Sequence, residues 1–252
     1  RAMTSVVDVS IRSDVGMVRH VNEDSYLAAD PVFVVADGMG GHARGDVASA
    51  TAVETLGRLL PAGTVPTPEG VIAAIDAANA AVRALSGVDE SGAAVAGTTL
   101  TGIIRVREPE IDDGQAAADQ WMIVNVGDSR VYQWDGRTLE QLSTDHSAVQ
   151  ELVDAGLITV EQAAVHPERN VITRALGAED FVDTDTLLLP VAGRQTFLLC
   201  SDGLTRELDD ARIAGILTDH KGADRADALV EAALAAGGRD NVTVVVVESV
   251  SR

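Results

Sequence analysis

Three aspartates stand at the ends of apolar, strand-like runs, where a rigidly held carboxylate can do chemistry. They are Asp37 after residues 31–36, Asp202 after residues 196–201, and Asp240 before residues 242–247. The first two are each followed by a glycine, which would let a metal or ligand approach the backbone closely. A carboxylate at the end of a buried strand is held in a fixed position. If the three strands are neighbours, we expect the three carboxylates to converge.

Convergence of three negative charges is unfavourable in a poorly hydrated site unless a cation neutralises them. Ligand sets made only of oxygen favour hard ions such as Mg²⁺ or Mn²⁺ over zinc. Two such ions about 3.5–4 Å apart can generate hydroxide at neutral pH and clamp the oxygens of a displaced phosphoryl group. Taken singly, each aspartate could instead be a turn former or a helix cap.

An arginine stands beside further acids near the N-terminus, in the run Arg19-His20-Val21-Asn22-Glu23-Asp24. A guanidinium can bind two phosphate oxygens at once, so Arg19 is a candidate phosphate ligand. The alternative is an ordinary surface ion pair, which would be favoured if this run stood alone. Its combination with the three strand-end aspartates favours the phosphate ligand.

The elements that must position these residues are mostly strands. Besides the three runs above, we expect strands at residues 5–11, 98–106, 120–126, 130–134 and 139–142. The spacing of apolar residues predicts helices at residues 46–60, 68–85, 209–217 and 223–236. The helices thus fall in two pairs among many strands. This order predicts an α+β domain with a sheet core and helices packed outside it.

Two segments have no clear place in that core. Residues 107–119 are polar and lie between two strands, so we expect an exposed hairpin loop there. Residues 143–180 carry short amphipathic stretches and few strand signals, so we expect an insertion on the domain surface.

The composition restricts the classes of function. The chain has 252 residues, of which 46% are apolar, enough for one large domain or two small ones. Its formal net charge of -20 is opposite to that of a protein that binds nucleic acid or an anionic membrane surface. Cys200 is the single cysteine and lies in an apolar run, which predicts an inert thiol and excludes an internal disulfide. We therefore expect a cytoplasmic protein, or the cytosolic part of a longer membrane-anchored one.

Seven sequence blocks together resemble one family, the metal-dependent protein phosphatase 2C-like (PPM) Ser/Thr phosphatases in their bacterial form. The blocks are Arg19-His20-Val21-Asn22-Glu23-Asp24, Val35-Ala36-Asp37-Gly38-Met39-Gly40-Gly41-His42, Ala96-Gly97-Thr98-Thr99, Asn125-Val126-Gly127-Asp128-Ser129-Arg130, Thr173-Arg174-Ala175-Leu176-Gly177, Cys200-Ser201-Asp202-Gly203-Leu204 and Arg239-Asp240-Asn241-Val242-Thr243. They occur in family order and span nearly the whole chain, so the resemblance is highly specific.

The resemblance implies a β-sandwich of two antiparallel sheets, flanked on each side by a pair of helices, with a two-metal cleft between the sheets. One catalytic domain would cover residues 4–250, and residues 143–180 would be its flap beside the cleft. The metal ligands would be Asp37, which bridges both ions, the carbonyl of Gly38 at the first ion, and Asp202 and Asp240 at the second. Arg19 would bind the substrate phosphate, and Glu23 and Asp24 would order metal-bound waters from behind.

A third metal is bound by many bacterial members of this family. Its ligands match Asp128 and Asp202, and Asn170 of the flap is a further candidate. Where the family commonly has an acid four residues after the second strand-end aspartate, this sequence has Arg206. A cation at that position would either weaken the third metal site or add a phosphate or substrate contact.

A second departure concerns the proton donor. Met39 replaces a histidine that eukaryotic relatives carry, and methionine cannot transfer protons. A metal-bound water would then have to protonate the leaving alkoxide. The nearby His42 is expected to be structural.

The function implied by the resemblance is hydrolysis of phosphoserine and phosphothreonine by a water activated by two Mn²⁺ or Mg²⁺ ions, without a phosphoenzyme. The protein would act as a monomer on phosphorylated proteins, opposing a bacterial Ser/Thr kinase. One alternative is a non-catalytic pseudophosphatase or regulatory subunit that binds phosphoproteins, but its usual mark, the loss of metal-binding acids, is absent. Another is a phosphatase with the same chemistry that acts on antagonist proteins controlling sigma factors.

Overall fold

The computed structural model describes residues 5–40, 44–89, 92–94, 96–108 and 118–251. Thr4, at which the expected domain begins, lies outside these residues, as do His42 and most of the predicted loop 107–119.

Strands make up most of the described fold. They are β1 (Ser5–Asp14), β2 (Asp24–Ala29), β3 (Val32–Met39), β4 (Gly87–Asp89), β5 (Gly92–Ala94), β6 (Gly97–Thr98), β7 (Leu100–Arg107), β8 (Asp119–Val126), β9 (Arg130–Trp134), β10 (Leu139–Gln141), β11 (Asp185–Pro190), β12 (Arg194–Cys200) and β13 (Val242–Ser251). The helices are α1 (Gly45–Leu59), α2 (Pro68–Arg83), α3 (Ala148–Asp154), α4 (Val160–Ala164), α5 (Asp202–Thr205), α6 (Asp210–Asp219) and α7 (Asp224–Ala236).

The longer strands form two antiparallel sheets. The first sheet has the order β1-β13-β12-β9-β10, and the second has the order β11-β8-β7-β3-β2. The short strand β6 pairs with the end of β3, while β4 and β5 form a separate hairpin. The chain crosses from the second sheet to the first directly between β8 and β9, so the link 127–129 joins the two sheets.

Three apolar layers hold the sheets and helices together. Between the sheets, side chains of both interdigitate, and the rings of Trp121 and Phe197 meet edge to face with centroids 5.8 Å apart. On the outer face of the second sheet, α1 and α2 bury residues such as Leu56. On the outer face of the first sheet, α6 and α7 bury residues such as Leu229. The α-β-β-α sandwich predicted from the sequence is therefore confirmed.

Local sequence signals explain where the long helices begin and end. Thr67 caps α2 by accepting a hydrogen bond from the Gly70 N–H at 3.1 Å, and Pro68 occupies the first helical turn. Beyond α7, Gly238 adopts a left-handed φ of 53° and its N–H donates to the Ala233 carbonyl at 3.0 Å. Among the described residues, none of the helices combines the length and the apolar character needed to cross a bilayer.

The predicted strands and helices are present, with their ends shifted by a few residues, but the sequence does not predict β2, β11 or the β4–β5 hairpin. Both β2 and β11 are edge strands of the second sheet. Leu187 and Leu188 of β11 are partly exposed, so this strand lacks the continuous buried run that marks an inner strand. The predicted strand 98–106 is interrupted at Thr99, between β6 and β7.

Residues 143–180 contain α3, α4 and the loops around them. Apolar side chains such as Leu157 and Val165 are exposed there. His146 and Leu176, by contrast, are buried and connect the segment to the sandwich. The segment thus lies on the surface but is attached to the core near both of its ends.

Candidate active site

A cleft of about 350 Å³ opens where β3 and β12 end and β13 begins. It is lined by four aspartates, which are Asp37, Asp128, Asp202 and Asp240. The other predicted site residues that line it are Arg19, Glu23, Gly38 and Asn170. Asp24, which the sequence proposes as a support of the metal ligands, does not line the cleft and is buried behind it. The structure thus brings together the strand-end carboxylates and the N-terminal arginine.

Asp37 is fixed by its own backbone at the end of β3. It lies opposite Asp24 of β2 in the antiparallel register. The Asp37 N–H donates to Thr99 Oγ1, and the Asp37 carbonyl accepts from Thr98 Oγ1 and from the Thr99 N–H, each at 2.9 Å. The interruption of the strand at Thr99 therefore supplies the groups that hold Asp37 in place.

The glycines after Asp37 and Asp202 are required by contacts within the protein. A Cβ on Gly38 would lie 2.0 Å from the carbonyl oxygen of Gly45, and a Cβ on Gly203 would lie 1.9 Å from that of Asn241. The sequence suggested that these glycines admit a metal or ligand to the backbone. The structure adds a second reason for glycine at these positions, because the space that a Cβ would occupy is taken by the backbone of another segment.

Asp24 joins the two sheets behind the cleft. Ser201 Oγ donates to Asp24 Oδ2 at 2.7 Å and accepts from the Thr243 N–H at 3.0 Å. The Ser201 N–H in turn donates to the Thr243 carbonyl at 3.1 Å. Asp24 of the second sheet is thereby bonded to the chain just before Asp202 and just after Asp240, both on the first sheet.

Asn241 holds the N-terminal segment that carries Arg19. Its Oδ1 accepts from the Glu23 N–H at 2.8 Å, and its Nδ2 donates to the carbonyls of Val15 and Val21 at 2.9 Å each. Asn241 is buried and immediately follows Asp240. One side chain therefore sets the position of the segment 15–23 relative to Asp240.

Asp128 lies in the link between β8 and β9. The preceding Gly127 has a left-handed φ of 107°, and the following Ser129 shares a hydrogen bond of 2.8 Å with Thr99 through the two hydroxyl groups. Thr99 thus contacts both Asp37 and the Asp128 link.

His146 anchors the same link from the flap segment. Its Nδ1 accepts from the Gly127 N–H at 3.1 Å, and its backbone N–H donates to the Gly127 carbonyl at 2.9 Å. Because Nδ1 accepts, the proton lies on Nε2, which donates to Asp185 Oδ2 at 3.0 Å. This histidine is therefore a structural support of the site.

Five acids in or behind the cleft, Glu23, Asp24, Asp37, Asp128 and Asp202, resist ionisation because burial disfavours their charged forms. Burial, followed by repulsion from neighbouring carboxylates, raises the pKa of Asp37 and of Asp202 well above the ordinary value. Burial also raises the pKa of Glu23 and of Asp128, and it raises the pKa of Asp24 to about 6. A bound cation would favour the charged forms of all these groups.

Two arginines already contact the acids. Arg19 Nη2 donates to Asp240 Oδ2 at 2.9 Å, and Arg206 Nη1 donates to the same oxygen at 3.3 Å. Arg206 also forms an ion pair with Asp202, and its Nη2 lies 3.7 Å from Asp128 Oδ2. The hydrogen bond to Asp240 raises the pKa of Arg19 above its ordinary value.

The donor set suits hard divalent cations. The described residues that line the cleft include five acids but no histidine and no cysteine, so most of its candidate ligands are oxygen atoms. Asp202 Oδ1 is buried and accepts no hydrogen bond from the described part of the chain, so it retains capacity for a ligand. In the same described ranges, no group of three His, Cys, Asp or Glu side chains is arranged to hold an ion as it stands. Three of the four carboxylates contact Arg206 instead.

Met39 and the segment 143–180 also contribute to the lining of the cleft. Met39 lines it next to Gly38, where the sequence places it. Asn170 and Ile172 also line it, so the segment 143–180 forms part of the cleft wall.

The sequence gives no role to Asn241, His146, Thr99 or Ser201, although each supports a cleft acid. Asn241, Thr99 and Ser201 stand within the seven family blocks, and that adjacency to the acids is the available signal. His146 lies in no block, and its partner Gly127 is 19 residues away, so only the fold shows its role.

The fold and the site together define a metal-dependent phosphatase, and comparison with known proteins agrees. The family model of protein phosphatase 2C matches residues 19–235. The serine/threonine phosphatase stp of Listeria welshimeri is 39% identical, over 94% of this chain and 94% of its own length. The serine/threonine protein phosphatase PstP of Mycobacterium tuberculosis is 39% identical over 98% of this chain, which spans 46% of that protein.

A solved structure gives the same result. The catalytic domain of the serine threonine protein phosphatase PstP in complex with two manganese ions is similar with a TM-score of 0.81 and 38% identity, over 98% of this chain and 100% of that chain. The chain therefore belongs to the protein phosphatase 2C family. It is an enzyme, a metal-dependent protein serine/threonine phosphatase whose substrates are phosphoproteins.

Proposed function

We propose that the protein hydrolyses phosphoserine and phosphothreonine with Mn²⁺ or Mg²⁺ held by the acids of the cleft. The observation that carries the proposal is the convergence of Asp37, Asp128, Asp202 and Asp240 with Arg19 in one cleft. Among the described residues, nothing favours a non-catalytic binding module, and the presence of Asp37, Asp128, Asp202 and Asp240 in one cleft supports a catalytic one.

The two ions would be held by Asp37, the carbonyl of Gly38, Asp202 and Asp240. The position of Asp37 supports a bridging role, since it is fixed at the end of β3 and the charges of Asp202, Asp128 and Asp240 all act on it. When bound, the ions supply an activated water nucleophile and neutralise the phosphoryl oxygens. The manganese ions in the similar PstP structure support Mn²⁺ as one of the metals.

Arg19 is the residue that we assign to the substrate phosphate. Its side chain is 51% exposed, and Asp240 takes one of its nitrogens. A guanidinium has five N–H donors, so several remain to bind a phosphate arriving from solvent. The contact with Asp240 orients the guanidinium toward the cleft before substrate binds.

Glu23 and Asp24 would order water around the site. Glu23 lines the cleft, whereas Asp24 is buried behind it and is held by Ser201. Met39 has no titratable proton, so the proton for the leaving alkoxide would come from water and not from a side chain at that position.

We further propose the setting in which the enzyme works. It would be a single domain over residues 4–250 with a flap at 143–180, acting as a monomer in the cytoplasm and opposing a Ser/Thr kinase. The buried, free Cys200 supports a reducing compartment, and the bacterial phosphatases to which the chain is similar support a signalling role. Sedimentation analysis would test the monomer, and loss of phosphate from a kinase-treated substrate would test the opposition.

Phosphate release from a phosphothreonine peptide tests the activity itself. The wild type should turn over with Mn²⁺ and stop in EDTA, and Asp37→Asn should reduce kcat at least about a hundredfold, because even residues behind metal ligands cost 10- to 100-fold. Asp76→Asn, on the exposed side of α2, removes the same charge far from the cleft and should keep full activity. A wild type that binds the peptide without turnover in Mn²⁺ would indicate a binding module instead.

Arg19→Ala tests the phosphate contact separately. KM should rise while kcat changes little, because the contact is made with ground-state and transition-state phosphate alike. Arg58→Ala, on the exposed side of α1, is the matched control and should leave both constants unchanged.

A further inference from the structure

Arg206 reaches three of the four acids of the cleft. Its guanidinium pairs with Asp202, donates to Asp240 Oδ2 at 3.3 Å, and lies 3.7 Å from Asp128 Oδ2. The side chains of Asp128 and Asp202 are only 11% and 10% exposed, so this is not a contact between freely solvated surface groups. The positive charge of Arg206 therefore already neutralises part of the negative charge of these three carboxylates.

The backbone of Arg206 is fixed, so its reach into the cleft is a property of the fold. Its N–H donates to the Asp202 carbonyl at 2.8 Å at the end of α5. The next residue, Glu207, is bonded to Arg239 through both carboxylate oxygens, and Leu208 is buried in the core. Because the backbone is held in this way, Arg206 can move away from the acids only by a change in its side-chain conformation.

Charge counting shows what Arg206 does to cation binding. Glu23 and the four aspartates carry five negative charges when ionised, and Arg19 and Arg206 carry two positive charges in the same cleft. Two divalent ions more than neutralise the three negative charges that remain. A third divalent ion beside Asp128 and Asp202 would stand within a few ångströms of the guanidinium, where like charges repel strongly. The Arg206 guanidinium and a third ion are therefore alternatives at this position.

We propose that the Arg206 guanidinium takes the place of a third divalent ion beside Asp128 and Asp202, so that the protein binds two divalent ions tightly and a further ion only when Arg206 turns away from these two acids. The inference rests on the proposed two-ion site and adds to it a residue of this chain that sets how many ions bind. It also assigns Asp128 a partner other than a metal.

Counting bound Mn²⁺ tests the proposal directly. Calorimetric titration and electron paramagnetic resonance of free Mn²⁺ would be applied to the wild type, to Arg206→Asp and to Arg206→Lys. The wild type and the lysine variant should bind two ions, whereas Arg206→Asp should bind a third at least about tenfold more tightly than the wild type does, because a positive neighbour becomes a negative one. Arg212→Asp, on the exposed face of α6, makes the same charge change away from the cleft and should bind two ions.

A second measurement needs no metal. In EDTA, Arg206→Ala should melt at a temperature lower than the wild type by at least about 3 °C, because the acids lose their positive neighbour. Arg212→Ala should melt like the wild type.

The outcomes separate this inference from the proposed function. A wild type that binds three ions as tightly as Arg206→Asp, or an Arg206→Asp that binds only two, overturns the role of Arg206 while phosphatase activity stands. A wild type that neither binds Mn²⁺ nor releases phosphate contradicts the proposed function. In that case the EDTA measurement still decides on Arg206, since an unchanged or higher melting temperature for Arg206→Ala would refute it as a counter-charge.

Discussion

Replacing Asn241 with alanine should weaken both the fold and the activity, because this one side chain holds the N-terminal part of the site. The substitution removes the acceptor for the Glu23 N–H and the donors for the carbonyls of Val15 and Val21. Asn241 is only 5% exposed, so water would replace these partners poorly. One N–H and two carbonyl groups would be left without their hydrogen bonds.

The size of both effects follows from these contacts. Three hydrogen bonds at a net value of about 1 kcal/mol each lower the free energy of unfolding by about 3 kcal/mol. For a chain of this size, 1 kcal/mol shifts Tm by about 2–4 °C, so Tm should fall by roughly 6–12 °C. With Glu23 and Arg19 no longer positioned against Asp240, kcat/KM should fall about 10- to 100-fold.

The assay compares thermal unfolding with peptide dephosphorylation at a temperature where each variant is folded. Arg225→Ala is the matched control, since Arg225 is also buried and donates to Glu248 and to the carbonyls of His220 and Leu217. Glu248 lies about 23 Å along β13 from Asn241 at roughly 3.3 Å per residue. The control should lose similar stability and keep its kcat/KM. An Asn241→Ala enzyme with a kcat/KM within about twofold of the wild type would refute the positioning role.

Three further outcomes follow from burial and packing. Burial raises the pKa of Asp24 to about 6, so the folded chain binds this proton more tightly than the unfolded chain does. Stability in EDTA should therefore fall as the pH rises from about 4 to 6, and Asp24→Asn should reduce that slope in pH-dependent melting curves. Gly203→Ala should destabilise the fold by about 2 kcal/mol or more in denaturant titrations, because its Cβ would lie 1.9 Å from a carbonyl oxygen. The control Gly215→Ala in α6 places its Cβ where no atom lies within 4 Å. It should therefore stabilise the fold by about 0.5–1 kcal/mol. Burial raises the pKa of Cys200 to about 12, so a thiol reagent at pH 8 should label it only after denaturant unfolds the chain.

Inner strands were predictable from the sequence because both of their faces are buried. The runs that became β3, β12 and β13 are continuous and apolar, and short runs of this kind are typical of strands covered on both sides. The edge strands β2 and β11 are partly exposed and carry no comparable pattern. Their places depend on a partner strand, which no local signal describes.

The residues of the site also divide into those that the sequence predicts and those that it does not. Asp37, Asp202 and Asp240 could be selected because each stands at the end of a recognisable run, and the structure places all three in one cleft. Asn241 and His146 could not be assigned a role, because their hydrogen bonds span the fold. The Asn241 contact with Glu23, for example, joins residues 218 positions apart. Sequence patterns identify the charged groups, while the hydrogen bonds by which other residues hold them in position are visible only in three dimensions.

The cleft combines rigid acids with long, flexible cations. Backbone hydrogen bonds through Thr99, Ser201 and Asn241 fix the chain that carries the aspartates, whereas Arg19 and Arg206 enter the cleft only by their side chains. A guanidinium can therefore leave a carboxylate without any movement of the sheet ends. It follows that substitutions in the supporting residues should alter the site for every ligand at once, whereas substitutions of the two arginines should leave the carboxylates in place and alter which cation or phosphate they bind.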